Sequence, residues 1–453
     1  MENSQTDRRY FFRTTTLGAF GAVTATTFLG GCSNSASTEE KLKEVAIPEI
    51  LEKAPDGRPL KAGLIGCGGR GTGAAVNYLE AGDGLQITML ADFFQEKIDA
   101  CRELLKAKGQ NIPDENCFVG FDAYKKVIDS DVDLVLLCEP QAFRPSHYEY
   151  AVQKGKHCFV EKPCAVDPVG ARKVQVAARQ AIQQGLSAVN GFVRRWQKDI
   201  LETYKRVAGG AIGDITSFHV SRMSSSLWFV HRQRGWSDKE YMLRNWVNFN
   251  CLCGDHIVDN LVHEMDLMSM YLGDIKPVRV EATGGRARRS TGDMYDFFSA
   301  EFSYDNDRIR AHLTTRNIEG CDNQYYYRIY GTKGYTDAFN TIYNIDGSVK
   351  WQHSYEEFPK NDAYKQELIQ LVKAIRTNTP YNDIEQNVQS SLLAIMARES
   401  AYTGKFITWE QIMASDLKLG PDTWEFGPYP GFKEEGPLPG LPPKVFTPRA
   451  PRA

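Results

Sequence analysis

The sequence predicts an α/β protein in two parts, a doubly wound parallel sheet followed by an α+β domain with an open-faced, mainly antiparallel sheet. Three observations predict it. Between residues 60 and 192, short apolar runs alternate with amphipathic helical stretches, the rhythm of repeated strand–helix–strand units. The first of these runs, LKAGLIG, leads through Gly66-Cys67-Gly68-Gly69-Arg70-Gly71 into the helical stretch TGAAVNYLEAG. Beyond Asp199 the runs lengthen and alternate, as in ITSFHVSRM, DFFSAEFSY and RIRAHLTTR, with turn residues between them. That is the pattern of antiparallel strands with one covered face.

Near the N-terminus, Arg8 and Arg9 precede Tyr10-Phe11-Phe12, a weakly apolar run and then Leu29-Gly30-Gly31-Cys32. The run has the length of a signal h-region and is too short and too rich in Thr and Gly to span a bilayer. Residues 1–31 are expected to be a twin-arginine lipoprotein signal peptide, with Cys32 the lipidated residue. The expected location is periplasmic, anchored to a bacterial membrane only through that lipid. Twin-arginine export carries folded proteins, usually ones that took up a cofactor in the cytoplasm. Residues 32–58 are polar and end in Pro and Gly, which reads as a tether.

The 453 residues are 42% hydrophobic and 25% charged, values of an ordinary globular protein with room for two domains. A net charge of −3 gives no basic surface for nucleic acid, and that partner class is set aside. Of the ten cysteines, Cys67, Cys138, Cys158 and Cys164 lie in or beside strand-like runs, where cysteine acts as a small buried hydrophobe. Cys251 and Cys253 lie near His256 but lack a second ligand pair at zinc spacing, so core packing is expected and no metal site.

Residues 59–192 form the expected dinucleotide-binding domain of Rossmann type. Gly66, Gly68, Gly69 and Gly71 fit G-x-G-x-x-G between a strand and a helix, where glycine lets the backbone approach a pyrophosphate at the helix N-terminus. Arg70 either adds a charge-assisted contact there or is a solvated arginine. The second strand, LQITMLAD, ends on Asp92, placed to accept hydrogen bonds from ribose hydroxyls and to repel a ribose phosphate. NAD is therefore expected over NADP. Residues 193–420 form the expected second domain. Residues 421–453 are rich in Pro and Gly and are expected to be a disordered tail or an arm laid over a neighbouring subunit.

The stretches CEPQAFRPSHYEYAVQKGKHCFVEKPCAVDPVGARKV, NGFVRRWQ and GDHIVDNLVHEMDL together resemble the glucose-fructose oxidoreductase / inositol dehydrogenase / MocA family. The resemblance runs from about Leu60 to AIMARESAYTGKFITWEQIMAS. It implies a Rossmann domain followed by an open-faced sheet that carries substrate and often mediates homo-oligomerisation. Glu161-Lys162-Pro163 matches the family's EKP motif, which places Lys162 between nicotinamide and substrate hydroxyl, where an ammonium stabilises alkoxide charge. Asp259 and His263 match its D-x-x-x-H arrangement, on one face if the stretch is helical. The implied roles are His263 as base and Asp259 as its orienting group or a substrate ligand. Pro140, His147 and Glu161 are candidate cofactor contacts, and for Pro140 and His147 a surface or interdomain packing role is equally open. Arg195, Arg244, Asn245, Trp246 and His256 are candidate substrate-binding residues, and for each a packing role is equally open.

The resemblance implies an NAD-dependent oxidoreductase acting on a secondary hydroxyl of a sugar, cyclitol or glycoside, with tightly bound, recycled cofactor. Two alternatives stay open: an NAD-dependent glycoside hydrolase or lyase working through a transient keto-sugar, and a non-catalytic sugar-binding lipoprotein.

Overall fold

The structure, a computed structural model, describes residues 47–434. The expected signal peptide, Cys32, most of the tether and residues 435–453 lie outside the described residues.

Six strands, β1 (Leu60–Ile65), β2 (Leu85–Asp92), β3 (Cys117–Val119), β4 (Leu134–Leu137), β5 (His157–Val160) and β6 (Ala188–Asn190), form one parallel sheet. Their order is β3-β2-β1-β4-β5-β6, the doubly wound arrangement whose switch point lies between β1 and β4. Helices α1 (Gly69–Glu80), α2 (Gln95–Ala107), α3 (Ala123–Ile128), α4 (Arg144–Gln153) and α5 (Pro168–Gln183) make the crossovers. The central strands are buried on both faces, as their unbroken apolar runs require: all four residues of β4 are buried, and so is all of β1 but Lys61.

After α6 (Lys198–Ala208) comes β7 (Ile215–Ser224). Four short helices follow, α7 (Asp238–Arg244), α8 (Asn250–Cys253), α9 (His256–Asp259) and α10 (Val262–Tyr271). The remaining strands are β8 (Arg279–Gly285), β9 (Phe297–Tyr304), β10 (Ile309–Asn317), β11 (Gln324–Gly331), β12 (Gly334–Thr336), β13 (Thr341–Asn344), β14 (Val349–Gln352) and β15 (Ile407–Thr408). With β7 they make a nine-stranded sheet, antiparallel except where β10 runs parallel to β7. Burial alternates along β10, with Ile309, Ala311, Leu313 and Thr315 inward, so one face is packed. The other face, carrying His219, Glu301, Arg310 and His312, stays accessible, which is the open-faced sheet expected.

The last helices are α11 (Ala363–Arg376), α12 (Ile384–Thr403) and α13 (Trp409–Ala414). Three packing contacts cross the expected boundaries. First, α11, within the expected second domain, packs on the first sheet: Leu368, Ile369, Leu371 and Val372 join Leu60, Leu64 and Leu136 in one core. Its period of apolar positions is matched to a groove on the parallel sheet, which linear reading cannot reveal. Second, the end of the expected tether is docked, since Ala54 is buried in that same core and the Leu51 amide donates to Gln366. Third, the described part of the expected tail, residues 421–434, lies on its own chain. Trp424, Tyr429 and Phe432 pack on a cluster containing Phe94, Phe143, Tyr241 and Phe249, so aromatic side chains supply the burial that Pro and Gly cannot.

Candidate active site

The nucleotide end of the site is set by the turn after β1. Gly66 has φ +95°, and a Cβ there would lie 2.5 Å from the Glu139 amide nitrogen. A Cβ on Gly71 would collide with the Gly66 carbonyl oxygen, so only glycine lets α1 start directly on the loop. Gly68 and Gly69 face open space, and no side chain caps the first turn of α1. That is a cradle for an anion at a helix N-terminus. Asp92 accepts from the Cys67 amide (2.8 Å) and the Phe94 amide (3.0 Å), which fixes its carboxylate beside the loop. Burial raises its pKa, and the amide bonds partly oppose that shift. A cavity against it is lined by Gly66, Asp92, Phe93, Phe121, Pro140 and His147. The glycine cradle, the uncapped helix start and Asp92 together fit a dinucleotide.

His147 borders that cavity with its Nδ1 3.0 Å from Glu139 and its ring stacked on Tyr124. Arg70 does not stay free for a phosphate, and here the structure corrects the expectation. Its guanidinium pairs with Glu161 and with Glu367 of α11, and it stacks over Tyr364. Glu161, expected beside the cofactor, is buried in the Arg70 pair and accepts from the Lys162 amide at 2.9 Å. Burial pushes its pKa up, but Arg70, Lys162 and Arg144 outweigh that and hold it low. Both residues tie α1 and the EKP loop to α11.

The reacting end is built where a helix breaks. Asp259 closes α9 and His263 lies in the first turn of α10, so the two are not on one continuous helix as expected. The His263 amide reaches only the Asn260 carbonyl, at 3.5 Å. Carbonyls at such a break lack their usual intrahelical partners. The Asp259 carbonyl instead accepts from Lys162 Nζ at 2.8 Å, and the Asn260 carbonyl accepts from Arg222 at 2.9 Å. The break therefore brings Lys162 of the first domain to the His263 segment of the second. The Asp259 carboxylate accepts from Gln141 and from the Asn260 side-chain Nδ2 (3.1 Å), not from His263.

His263 Nδ1 is buried and has no partner among the described residues. Burial drives the His263 pKa well below its ordinary 6.5, and the charges of Lys162, Arg194, Arg222 and Arg70 lower it further. Lys162 is also lowered by burial, with Asp259 and Glu161 opposing. His263 borders a cavity of about 360 Å³ shared with Arg194, Gln197, Arg222, Asn361 and Tyr364. Tyr364 is the ring under Arg70, so the cavity adjoins the nucleotide loop.

The structure does not bring the expected substrate residues here. Arg195 pairs with Asp266 (2.9 Å) and Asp274 (3.0 Å) inside the second domain. Asn245 is fully buried and bonds the Val230 amide and the Val230 and Tyr241 carbonyls. His256 is fully buried against Asp255 and the Tyr295 carbonyl. Arg244 stacks on Phe94 and Trp236 and pairs with Glu96 and Glu240, and Trp246 packs in the same aromatic cluster. These two bind the second domain to the end of β2, away from His263. The residues that do reach the cavity are Arg194 and Arg222. The doubled arginine of NGFVRRWQ marked the place but not which member. On a tight turn (Val193–Trp196) the neighbours point apart, Arg194 to Glu264 and Arg195 to Asp266. Arg222 carried no signal beyond its place in an alternating strand.

Two family profiles match the chain: an oxidoreductase family, NAD-binding Rossmann fold, over residues 60–187, and its C-terminal alpha/beta domain over residues 204–409. The chain belongs to this Gfo/Idh/MocA oxidoreductase family, and its first domain is the NAD-binding one. Among relatives, an uncharacterized oxidoreductase of Streptococcus pneumoniae is 25% identical over 65% of this chain and 73% of its own length. The inositol 2-dehydrogenase of Paracoccus denitrificans is 28% identical over 48% of this chain and 55% of its own. The crystal structure of scyllo-inositol dehydrogenase from Lactobacillus casei with bound NAD(H) and scyllo-inositol superposes with a TM-score of 0.57. It is 19% identical and covers 77% of this chain and 99% of that one, a likeness of fold.

Proposed function

We propose that this protein is an NAD-dependent dehydrogenase of a secondary hydroxyl on a sugar or cyclitol, with His263 as base and Lys162 as the hydroxyl's electrostatic partner. The observation that carries the reading is the broken helix: it sets the Lys162 ammonium against the Asp259 carbonyl and leaves His263, whose buried Nδ1 has no partner among the described residues, bordering a sugar-sized cavity beside the glycine loop. Bound nicotinamide supplies the acceptor for the hydride leaving the carbinol carbon. His263 takes the hydroxyl proton, for which a neutral ring is required. Lys162 stabilises the negative charge that develops on that oxygen, and its lowered pKa fits a group that also shares the proton. Asp259 is held by Gln141 and positions the break through which Lys162 is anchored. The names of the relatives, inositol dehydrogenases among them, support a polyol ring as substrate class.

The test is transfer of deuterium from the carbinol carbon of labelled inositols and hexoses to the nicotinamide. Label arriving on the nucleotide supports the reading. Retention of label across the panel by protein that binds NAD contradicts it.

We further propose that residues 1–31 direct twin-arginine export, that Cys32 anchors the protein by lipid, and that NAD is carried out bound and recycled in place. The adjacent Arg8-Arg9 pair and the LGGC sequence support this. In cell fractionation, Cys32→Ser is expected to move the protein from the membrane to the soluble fraction. An unchanged membrane fraction would count against the anchor.

A further inference from the structure

Resting on the dehydrogenase reading above, the geometry points to a more specific substrate: we infer that it carries a carboxylate, as a hexuronate does, held by Arg194 and Arg222. The two guanidiniums reach the cavity from different elements, the turn after β6 and strand β7, and share one carboxylate, Glu264 of α10. Arg194 lies 3.0 Å from Glu264, and Arg222 lies 3.3 Å from both of its oxygens. Glu264 also accepts from the Tyr327 hydroxyl at 2.6 Å and is fully buried, so its lone pairs are committed. Two cations on one anion leave one positive charge in surplus.

Both arginines line the cavity. Arg194 Nη1 is buried with no partner among the described residues, although its neighbour Nη2 is doubly engaged. A buried donor without an acceptor is costly unless a ligand supplies one. Arg194 is stacked over both Tyr327 and Phe339, and Arg222 lies over Tyr325, so the planar forks are held before anything binds.

The other charges around the cavity are already matched. Lys162 is opposed by Asp259, and Arg70 by Glu161, while burial pushes the Glu367 carboxyl beside Arg70 well up toward its neutral form. Asp362, at the rim, is solvent-exposed and caps α11 through the Lys365 amide at 3.1 Å. A single carboxylate neutralises the Arg194–Arg222–Glu264 group, and bidentate acceptance suits its shape. An inositol or a neutral hexose would leave Arg194 Nη1 to a hydroxyl alone.

The test compares glucuronate and galacturonate with glucose and galactose as hydride donors, in the NAD-loaded protein and in Arg222→Gln and Arg222→Lys. The expected result is a kcat/KM at least about tenfold higher for each uronate than for its neutral partner, the value of one charge-assisted contact. Arg222→Gln is expected to collapse that ratio and Arg222→Lys to restore part of it. Should Arg222→Gln fail to fold, the Lys variant and the wild-type ratio still decide. Hydride transfer from neutral sugars at rates equal to or above those of uronates overturns this inference and leaves the dehydrogenase reading standing. Transfer from neither class overturns this inference, and removes the dehydrogenase reading as well only where the inositols also give no transfer in protein shown to bind NAD.

Discussion

His263 is the residue whose setting departs furthest from solution. Burial and the surrounding cations keep it neutral below its ordinary pKa of 6.5. A base with a depressed pKa loses function only as pH falls through the depressed value, so the acid limb of kcat/KM is expected below pH 6.5. Arg222→Gln removes one opposing charge and is expected to move that limb upward, as a pH–rate profile on both proteins would show. An acid limb at or above pH 6.5 in the wild type would contradict the placement. The sign for stability is the same: the unfolded chain takes up the proton first, so this residue's contribution falls as pH drops below about 6.5. At this scale the candidate residues were readable. Lys162 and His263 stand in short motifs, and Gly66 and Gly71 are required by backbone contacts that any G-x-G-x-x-G turn implies. Arg194 was hidden beside Arg195, because which way a side chain leaves a tight turn depends on the acids opposite, Glu264 and Asp266, seventy residues away.

Among elements, α11 and the interrupted helix α9–α10 matter most. The apolar positions of α11 were visible, but the sheet they cover was not, because helix amphipathicity gives a face and no address. Its docking is fixed by Arg70, which stands between Glu161 and Glu367. Glu161 is 3% exposed and Glu367 is fully buried with its pKa pushed well up by burial. Arg70→Met leaves both carboxylates without their cation and is expected to cost about 3 kcal/mol, the range for a broken buried pair. Chemical denaturation measures it, and a change below about 0.5 kcal/mol, the level of a surface substitution, would show that the latch is not structural. The break at Asn260–Leu261 escaped a reading based on spacing, since Asp259 and His263 are four apart in either case. Its consequence is chemical: it frees the carbonyls that hold Lys162 and Arg222.

For the whole molecule, the order of the domains follows from the switch in period near residue 199, and the parallel and antiparallel sheets both stand where that switch places them. What the two ends of the described chain contact was illegible. Trp424 and Phe432 return from the Pro/Gly-rich end to cover Phe143 and Phe249, and Leu51 precedes the first strand yet bonds α11. Such contacts depend on tertiary proximity, which local composition does not encode. The candidate nucleotide and reacting ends come from separate domains, and the joint between them is Asp259, which accepts from both Lys162 and Gln141 of the first domain.

The central claim is that this joint carries the chemistry and not the binding of NAD. It is tested most directly in Lys162→Met, by measuring NAD affinity and the single-turnover rate of nicotinamide reduction on the same preparation, with the polyol that wild type oxidises fastest. The account predicts affinity within about threefold of wild type and reduction slowed by about 10²-fold or more, the contribution of a positioned proton-transfer or oxyanion group. Reduction at the wild-type rate would contradict it.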